Sequence, residues 1–433
     1  MAKKQLPLVT VRLDKIVGGG QTIGTLEDGR KLFIWGGLPG ELVEAQLTKR
    51  KSSYAEGIVT TVIEASPERV SPVDPDSYLS TSPWQIMDFA AEQKAKAALI
   101  NEAFMLHHVT LPAPSQVYSN EVISGYRNKM EFSFWWDKEA ETLDLAFFRR
   151  GTHSKLTVEK SSLALPVIND AALKIRDLLR RRKTNGFQLK TALIRANQDG
   201  QVIAQLYVKD PEFTLFSDEE FAELGIDGFE VMYSNPQSPA SVITKELQRF
   251  GLNALSDTIL GTPFTYATEG FFQINLPVYE RSLADMKQWV EADKPTIDLY
   301  SGVGSIGLTI GQENVTLVEL NPSAVREMEA NIAKLGRTSA TAVLAASEQA
   351  LDHIHGEATI IVDPPRAGLD QTVINKLLDV LPERIIYLSC NPVTQARDVA
   401  LLLEGYEIIA QQGYNYFPRT PHIEHLIVLQ KKG

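Results

Sequence analysis

The sequence predicts an α/β protein: a doubly wound parallel sheet of the nucleotide-binding type, preceded by a small closed β-barrel and a separate α+β unit. Three observations carry this expectation. Strand, turn and helix alternate regularly after Pro295. Five short β segments separated by glycine turns fill the N-terminal region. The chain, at 433 residues, also exceeds the ~250–300 residues at which one hydrophobic core usually stops growing, so two to three domains are expected.

The five N-terminal segments are Leu8 to Leu13, Gln21 to Leu26, Lys31 to Ile34, Leu42 to Thr48 and Ala55 to Val62, with Gly18-Gly19-Gly20, Asp28-Gly29 and Gly36-Gly37 as turns. Short strands at this spacing suit a closed barrel. Pro67, Pro72, Pro75 and Pro83 mark an irregular connection, and an Ala-, Lys- and Glu-rich helix is expected from Ala90 to Leu106. Between about Tyr118 and Thr265, strand-like stretches (Met130 to Trp136, Leu143 to Phe148, Thr191 to Ala196, Val202 to Val208) surround one basic helix, Ile168 to Arg182. Strands clustered around a helix in this way read as an α+β unit.

In the C-terminal region Thr296 to Tyr300 is a strand, Gly302 to Gly307 a glycine-rich turn, and Ile306 to Ile310 the start of a helix. The strand Thr316 to Leu320 precedes a helix opened by Asn321 as cap and Pro322 in its first turn, and closed by Gly336. Strands at Thr341 to Ala345, Thr359 to Val362, Ile385 to Ser389 and Glu424 to Gln430, with helices at about Gln371 to Leu381 and Val393 to Leu403, complete the sheet.

Composition is ordinary for a soluble globular protein, with 44% hydrophobic and 22% charged residues. Lys3, Lys4, Arg12, Asp14 and Lys15 interrupt the N-terminus, so it lacks the apolar core of a signal peptide, and no apolar run reaches membrane-spanning length. A cytoplasmic protein without a membrane partner is expected. A net charge of −11 argues against bulk nucleic-acid binding through a uniformly basic surface. Local clusters at Lys49-Arg50-Lys51, Arg127-Asn128-Lys129, Arg149-Arg150 and Arg180 to Lys183 could still hold a phosphate backbone, although such runs are commonly solvated faces.

Cys390 is the only cysteine, at the end of the apolar run Ile385 to Ser389 and before Asn391-Pro392. It can join neither an intrachain disulfide nor a cysteine-only metal cluster within one chain, which leaves inert packing or nucleophilic chemistry. Asp298 to Gly307 ends a strand in a glycine-rich turn, and Glu319 ends the next strand 21 residues beyond Asp298. Such a turn lets a ligand approach the backbone, and the carboxylate can take ribose hydroxyls; a dinucleotide and S-adenosylmethionine fit the pattern equally. Asp363, in Asp363-Pro364-Pro365-Arg366-Ala367-Gly368, projects from another strand end on a stiffened loop, suited to holding a planar substrate or, alternatively, to capping a helix. Glu424 stands in His422-Ile423-Glu424-His425. Side chains alternate along a strand, so His422, Glu424 and His425 cannot all face one metal ion, and no metal is expected. Gln273 and Asn275 would share one face of an extended segment and could bind a polar ligand.

Together and in this order, these residues resemble the RNA (uracil-5-)-methyltransferase family. The resemblance runs over nearly the whole chain: Lys15 to Gly20 and the barrel, Gly125-Tyr126-Arg127-Asn128-Lys129, Phe272-Gln273-Ile274-Asn275, the glycine-rich turn, the Asp-Pro-Pro-Arg-Ala-Gly loop, Ser389-Cys390-Asn391-Pro392 and His422 to His425. It implies an N-terminal TRAM barrel (residues 1–67), a linker (68–89), a helical segment packing on the catalytic domain (90–117), a central α+β RNA-binding domain (118–262) and a Rossmann-like S-adenosylmethionine-dependent methyltransferase domain (263–433). It further implies Cys390 as nucleophile, Glu424 as general base and Asp363 as the partner of the uracil edge. Gln273, Tyr300, Ser305, Glu319 and Asp363 fall at S-adenosylmethionine positions, and Arg127 and Lys129 at RNA-contact positions. Many relatives hold an iron–sulfur cluster on four cysteines. Here Asp74, Ser80, Pro83 and Ser161 fall at those places, so no cluster is expected and the linker is expected to be held by packing alone.

The chemistry the resemblance implies suits these groups. Carbon 5 of uracil becomes nucleophilic only after a thiolate adds to carbon 6, and a carboxylate must later remove the carbon 5 proton. The target base must leave its stack, so loop or single-stranded RNA is the cheaper substrate. The barrel favours ribosomal RNA of the large subunit over transfer RNA, whose enzymes often lack it. Cytosine-5 enzymes commonly use two cysteines, a dinucleotide oxidoreductase explains neither Cys390 nor the RNA-binding units, and an RNA-binding protein without turnover has no use for Cys390, Asp363 and Glu424 together. Oligomeric state is left open.

Overall fold

The computed structural model of the protein describes residues 6–152 and 154–433; Lys3 and Lys4 lie outside the described residues. Five strands, β1 (Leu8–Ile16), β2 (Thr22–Thr25), β3 (Lys31–Trp35), β4 (Leu42–Arg50) and β5 (Tyr54–Glu64), close into a barrel in the order β1-β2-β3-β5-β4. Alternation sets its interior, with Val11, Leu13, Leu32, Ile34, Val43, Ala45, Leu47 and Ala55 facing inward. A short helix α1 (Tyr78–Thr81) and a long one, α2 (Phe89–Leu106), follow. The Asp88 carboxylate caps α2 by accepting from the Ala91 amide at 2.9 Å.

The linker is not held by packing alone. The Gln85 side-chain amide donates to Asp74 Oδ2 (2.9 Å), Ser82 Oγ (2.7 Å) and Ser162 Oγ (3.1 Å), and its oxygen accepts from the Asp74 amide (2.9 Å). Ser162 in turn donates its hydroxyl to Asp74 Oδ2 at 2.6 Å. A hydrogen-bonded clasp therefore ties the linker to the central unit. Of the residues at the cluster-cysteine places only Asp74 belongs to it; its serines, Ser82 and Ser162, are the neighbours of Pro83 and Ser161. Replacing Gln85 by leucine leaves several buried groups of the clasp unpaired. The expected result is a loss of about 1–3 kcal/mol in urea unfolding. Ser80→Ala is the control, because the Ser80 hydroxyl is buried without a partner and its removal should be close to neutral.

β6 (Val117–Tyr118) precedes the central unit, which contains β7 (Lys129–Asp137), β8 (Thr142–Phe148), β9 (Lys155–Thr157), α3 (Pro166–Arg181), β10 (Leu189–Ala196), β11 (Val202–Val208), α4 (Asp218–Leu224), β12 (Gly228–Tyr233) and β13 (Lys245–Gly251). Its strands form one sheet in the order β13-β12-β11-β10-β7-β8-β9. Ile168, Ala172, Ile175 and Leu179 of α3 pack on Phe132, Leu145, Ala192 and Leu206 of the sheet. The unit thus has a second helix, α4, where one was expected. Its capping box, with Ser217 and Glu220 bonded reciprocally, is visible in the sequence as Ser217-Asp218-Glu219-Glu220.

A hairpin, β14 (Ala254–Ile259) and β15 (Thr262–Ala267), crosses the expected boundary at residue 262. The C-terminal elements are α5 (Leu276–Lys287), β16 (Thr296–Leu299), α6 (Ser305–Ile310), β17 (Val315–Glu319), α7 (Pro322–Leu335), β18 (Ala340–Leu344), β19 (Thr359–Val362), α8 (Gln371–Val380), β20 (Arg384–Ser389), α9 (Pro392–Leu402), β21 (Tyr406–Tyr414) and β22 (Glu424–Lys431). The sheet order is β18-β17-β16-β19-β20-β22-β21-β6. It is not wholly parallel, because β22 runs antiparallel to both β20 and β21. β16, flanked by β17 and β19, is the topological switch point at which such sheets bind ligands. No helix among the described residues is long and apolar enough to cross a membrane.

Candidate active site

Parallel strands bring their C-terminal ends to one edge of the sheet. β16 hands over to Tyr300 and the turn that follows, β17 ends at Glu319, β19 is followed by Asp363 and β20 by Cys390. β22 runs the other way, so its first residue, Glu424, reaches the same edge. Ser389 pairs with His425 across the ladder, which puts Cys390 and Glu424 one step farther out on neighbouring strands.

These residues line one cleft of about 800 Å³, together with Arg127, Gln273, Gly302, Asn321, Arg366, Phe417 and His422. That size suits a small ligand and an inserted base. The turn after β16 is left-handed at Tyr300 (φ 65°), Gly302 (57°) and Gly304 (84°). For a bulky residue such as Tyr300 this conformation is strained, and such strain gathers at binding sites. Glu319 Oε2 accepts from the Gly302 amide at 2.9 Å and its Oε1 from the Asn321 amide at 2.7 Å. The carboxylate is thereby fixed at the lip of the turn with acceptor capacity to spare.

The loop carrying Asp363 is tied to the helix that follows Cys390. Asn391 Nδ2 and Thr394 Oγ1 both donate to the Arg366 carbonyl (2.9 and 3.1 Å), Arg397 donates to the Ala367 carbonyl (2.9 Å), and Asp398 Oδ2 accepts from the Leu369 amide (2.7 Å). Gly368 (φ 81°) is needed here, since a β-carbon would come 2.5 Å from Asp398 Oδ2.

A second loop, residues 415–423, brings Phe417 and His422 to the cleft and is anchored by every other part of the molecule. Glu92 of α2 accepts from the Arg419 amide (3.1 Å), and Lys96 donates to Asn415 Oδ1 (2.6 Å) and the Phe417 carbonyl (3.1 Å). Glu92 and Lys96 are both fully buried and 3.2 Å apart. The Tyr126 hydroxyl donates to the Pro418 carbonyl (3.0 Å), and the Trp84 amide to the Arg419 carbonyl (3.1 Å). Gly20 of the barrel touches this loop so closely that a β-carbon would lie 2.1 Å from Pro421 Cβ.

Electrostatically the cleft is acidic. Burial pushes Asp298 up to about 8, with Asp363 and Glu319 adding to the shift, and leaves its Oδ1 buried without a partner. Burial also raises Asp363 to about 7 and, with the Asp363 charge, holds Glu424 well above the usual carboxylate range. The Cys390 thiol is pushed up to about 11 by burial and by Glu424 and Asp363, while the Arg366 guanidinium opposes the shift. His422 is lowered to about 4 by burial and by Arg366, so it is neutral at pH 7, and its Nδ1 accepts from Arg366 Nη2 at 2.7 Å.

The profile of the tRNA (Uracil-5-)-methyltransferase family matches residues 257–432, and that of the TRAM domain matches residues 9–60. An uncharacterized RNA methyltransferase of Enterococcus faecalis is 29% identical over 93% of both chains, and another of Lactiplantibacillus plantarum is 28% identical over 94% of this chain and 93% of that one. The match to the uracil-5-methyltransferase family spans the catalytic domain. In structure it is similar to a tRNA (uracil-54, C5)-methyltransferase of Pyrococcus abyssi, with a TM-score of 0.79 at 20% identity, covering 97% of this chain and 100% of that one. It is an S-adenosylmethionine-dependent RNA (uracil-5-)-methyltransferase with a TRAM barrel.

The cleft of this methyltransferase suits that cofactor better than the dinucleotide the glycine pattern also allowed. Its carboxyl groups Glu319, Asp363 and Glu424 can balance a cationic sulfonium as they ionise, whereas a pyrophosphate would add to their negative charge. Gln273, Tyr300, Glu319, Asp363, Cys390 and Glu424 all line it. Ser305 does not; its hydroxyl is bonded to that of Tyr279 at 2.7 Å. Gln273 and Asn275 do not share a face, because the chain turns into α5 at Asn275, whose amide is buried and donates to the Tyr416 carbonyl (3.0 Å).

Arg127 borders the cleft, whereas the Lys129 ammonium donates to the Gly270 carbonyl (3.3 Å). The other basic runs are largely spent on internal contacts. Arg180, Arg181 and Arg182 pair with Asp144, Glu223 and Glu220, Lys49 with Glu56, and Arg150 stacks on Trp35. Arg366 and His422 are site residues to which sequence reasoning gave no function. Both lie inside quoted motifs, but nothing in the linear pattern signals their mutual bond across 56 residues.

Proposed function

We propose that this enzyme forms 5-methyluridine in structured RNA, in the cytoplasm, through a covalent bond between Cys390 and carbon 6 of the target uracil. The observation that carries this reading is the convergence of Cys390 and Glu424 from adjacent antiparallel strands, with Asp363 lining the same cleft. Cys390 Sγ adds to carbon 6, and the electrons of the 5,6 double bond move to carbon 5 and the carbonyl oxygen at position 4. When bound, S-adenosylmethionine supplies a methyl group on a positively charged sulfur. After carbon 5 has taken the methyl, Glu424 removes the remaining proton there; the double bond reforms and Sγ leaves. Asp363 holds the polar edge of the ring, and its raised affinity for a proton lets it donate to a carbonyl or accept from an N–H. Glu319 takes the ribose hydroxyls of the cofactor beside Tyr300 and the glycine turn, and Gln273 closes the same side.

A thiol raised to about 11 is ionised to only about one part in 10⁴ at pH 7. Activation must therefore come from positive charge in the cleft, and Arg366 is the resident source. Alkylation by iodoacetamide reads this without ambiguity, since the chain has no other thiol. The rate should still be rising with pH above 9 in the free enzyme. It should be faster at a given pH with the cationic cofactor bound than with its neutral product, S-adenosylhomocysteine, allowing for shielding by comparing the two bound forms.

Large-subunit ribosomal RNA is the first substrate reading, on the strength of the barrel. A specific observation supports transfer RNA as the second. The Pyrococcus abyssi protein is named for a transfer-RNA uridine, and its likeness over 97% of this chain leaves no room for the barrel to be unmatched. Mapping 5-methyluridine in ribosomal and transfer RNA from cells with and without the gene tests both. Loss of one defined 5-methyluridine is expected, and an unchanged map in both RNA classes would refute the function.

A further inference from the structure

A second cavity, of about 420 Å³, lies beside the catalytic cleft where the central unit meets the start of α5. Tyr126, Leu165, Val167, Ile274 and Pro277 give it apolar walls, and no ionised side chain among the described residues lines it. A phosphate or charged ligand would have no counter-charge there, whereas a neutral planar group would be well accommodated. One polar feature stands out. Asn128, 6% exposed, donates its amide to the Gln273 carbonyl at 3.0 Å, and its own carbonyl oxygen is buried without a hydrogen-bond partner among the described residues. Buried acceptors are normally satisfied, so a small shift of Asn128 that uncovers this oxygen would offer it to an N–H donor, which nucleobases carry on their edges.

The cavity adjoins the cleft, and three features link their walls. Ile274 lines both. Asn128 holds Gln273, which lines the cleft, and Arg127, between Tyr126 and Asn128 in sequence, borders the cleft itself. Tyr126 bonds the Pro418 carbonyl in the loop that carries His422. An RNA strand that delivers an unstacked uridine to Cys390 must leave along the cleft rim, and its next unstacked base finds this cavity adjoining.

We propose that the cavity is a second base pocket, which takes a neighbouring nucleobase of the RNA substrate and thereby contributes to the choice of target uridine. The proposal rests on the reading that the cleft takes a uridine from RNA.

The test uses the full-length enzyme and an RNA fragment carrying the uridine mapped as above, either intact or with each nearby base in turn replaced by an abasic ribose. For the wild type, kcat/KM should fall about tenfold at one neighbouring position, the size of one base contact. Val167→Trp, at a partly exposed position in the first turn of α3, fills the pocket without touching the cleft. It should lose about tenfold on the intact fragment and nothing further on the fragment abasic at that position, with KM for S-adenosylmethionine unchanged. Val122→Trp, at another exposed position on the rim, should give the same pattern and stands in should the first variant fold poorly. Full activity of a folded tryptophan variant on the intact fragment, as expected if the cavity instead docks a protein, would overturn the proposal. So would an equal loss on every fragment. A wild-type enzyme inactive on the intact fragment would overturn the functional reading as well, which separates the two failures.

Discussion

Cys390→Ala is expected to abolish methyl transfer, with a loss on the order of 10⁴-fold or more, as for other enzymes stripped of their nucleophile. Cofactor binding should persist, because Glu319 and the turn around Gly302 make no bond to the thiol. The half-buried side chain at the strand end packs into no large core cluster, so folding should be little affected. Rate measured with radiolabelled S-adenosylmethionine and binding measured by calorimetry distinguish loss of chemistry from loss of the site. A variant that retains substantial turnover would remove the covalent step.

Glu424→Gln is expected to act at the opposite end of the reaction. Glutamine keeps the shape of the side chain beside Cys390 but cannot take a proton, so the methylated ring remains bound to sulfur. Turnover should fall about 10²–10⁴-fold, the usual worth of a positioned base. A covalent protein–RNA species should appear that survives denaturation. The pH dependence supplies a second readout. In the wild type, Glu424 and Asp363 are both raised by burial, so the base becomes available only above the ordinary carboxylate range, and kcat should rise with pH there. In the glutamine variant the rise should shrink to the part that Asp363 and Cys390 contribute. Normal activity without an adduct would rule out Glu424 as the base.

Much of the site was legible because strand ends announce themselves. Apolar runs that stop at Asp363 and Cys390, and a run that starts at Glu424, identify the residues of a sheet edge without any knowledge of strand order. The edge they share depends on β22 running antiparallel, which periodicity does not reveal. Segments with mixed patterns were missed. β21 alternates poorly, with Gln411, Gln412 and Gly413 near its end, and β6 is only two residues long. The clasp was missed because a cysteine count says what is absent from a position and nothing about what bonds there, so Gln85 had no signal. Ser305 and Asn275 fell in matching motifs, yet each side chain is bonded into the protein interior, to Tyr279 and Tyr416. Motif position alone does not give the direction of a side chain.

The most direct measurement replaces the target uridine by 5-fluorouridine in an RNA substrate and weighs the products of wild-type enzyme with S-adenosylmethionine. Fluorine cannot leave as the proton does, so the reaction should stop with ring, methyl group and enzyme joined, and digestion should place the added mass on the peptide containing Cys390. An adduct on any other residue, or methyl transfer to unmodified RNA with no adduct from the fluorinated one, would contradict the mechanism.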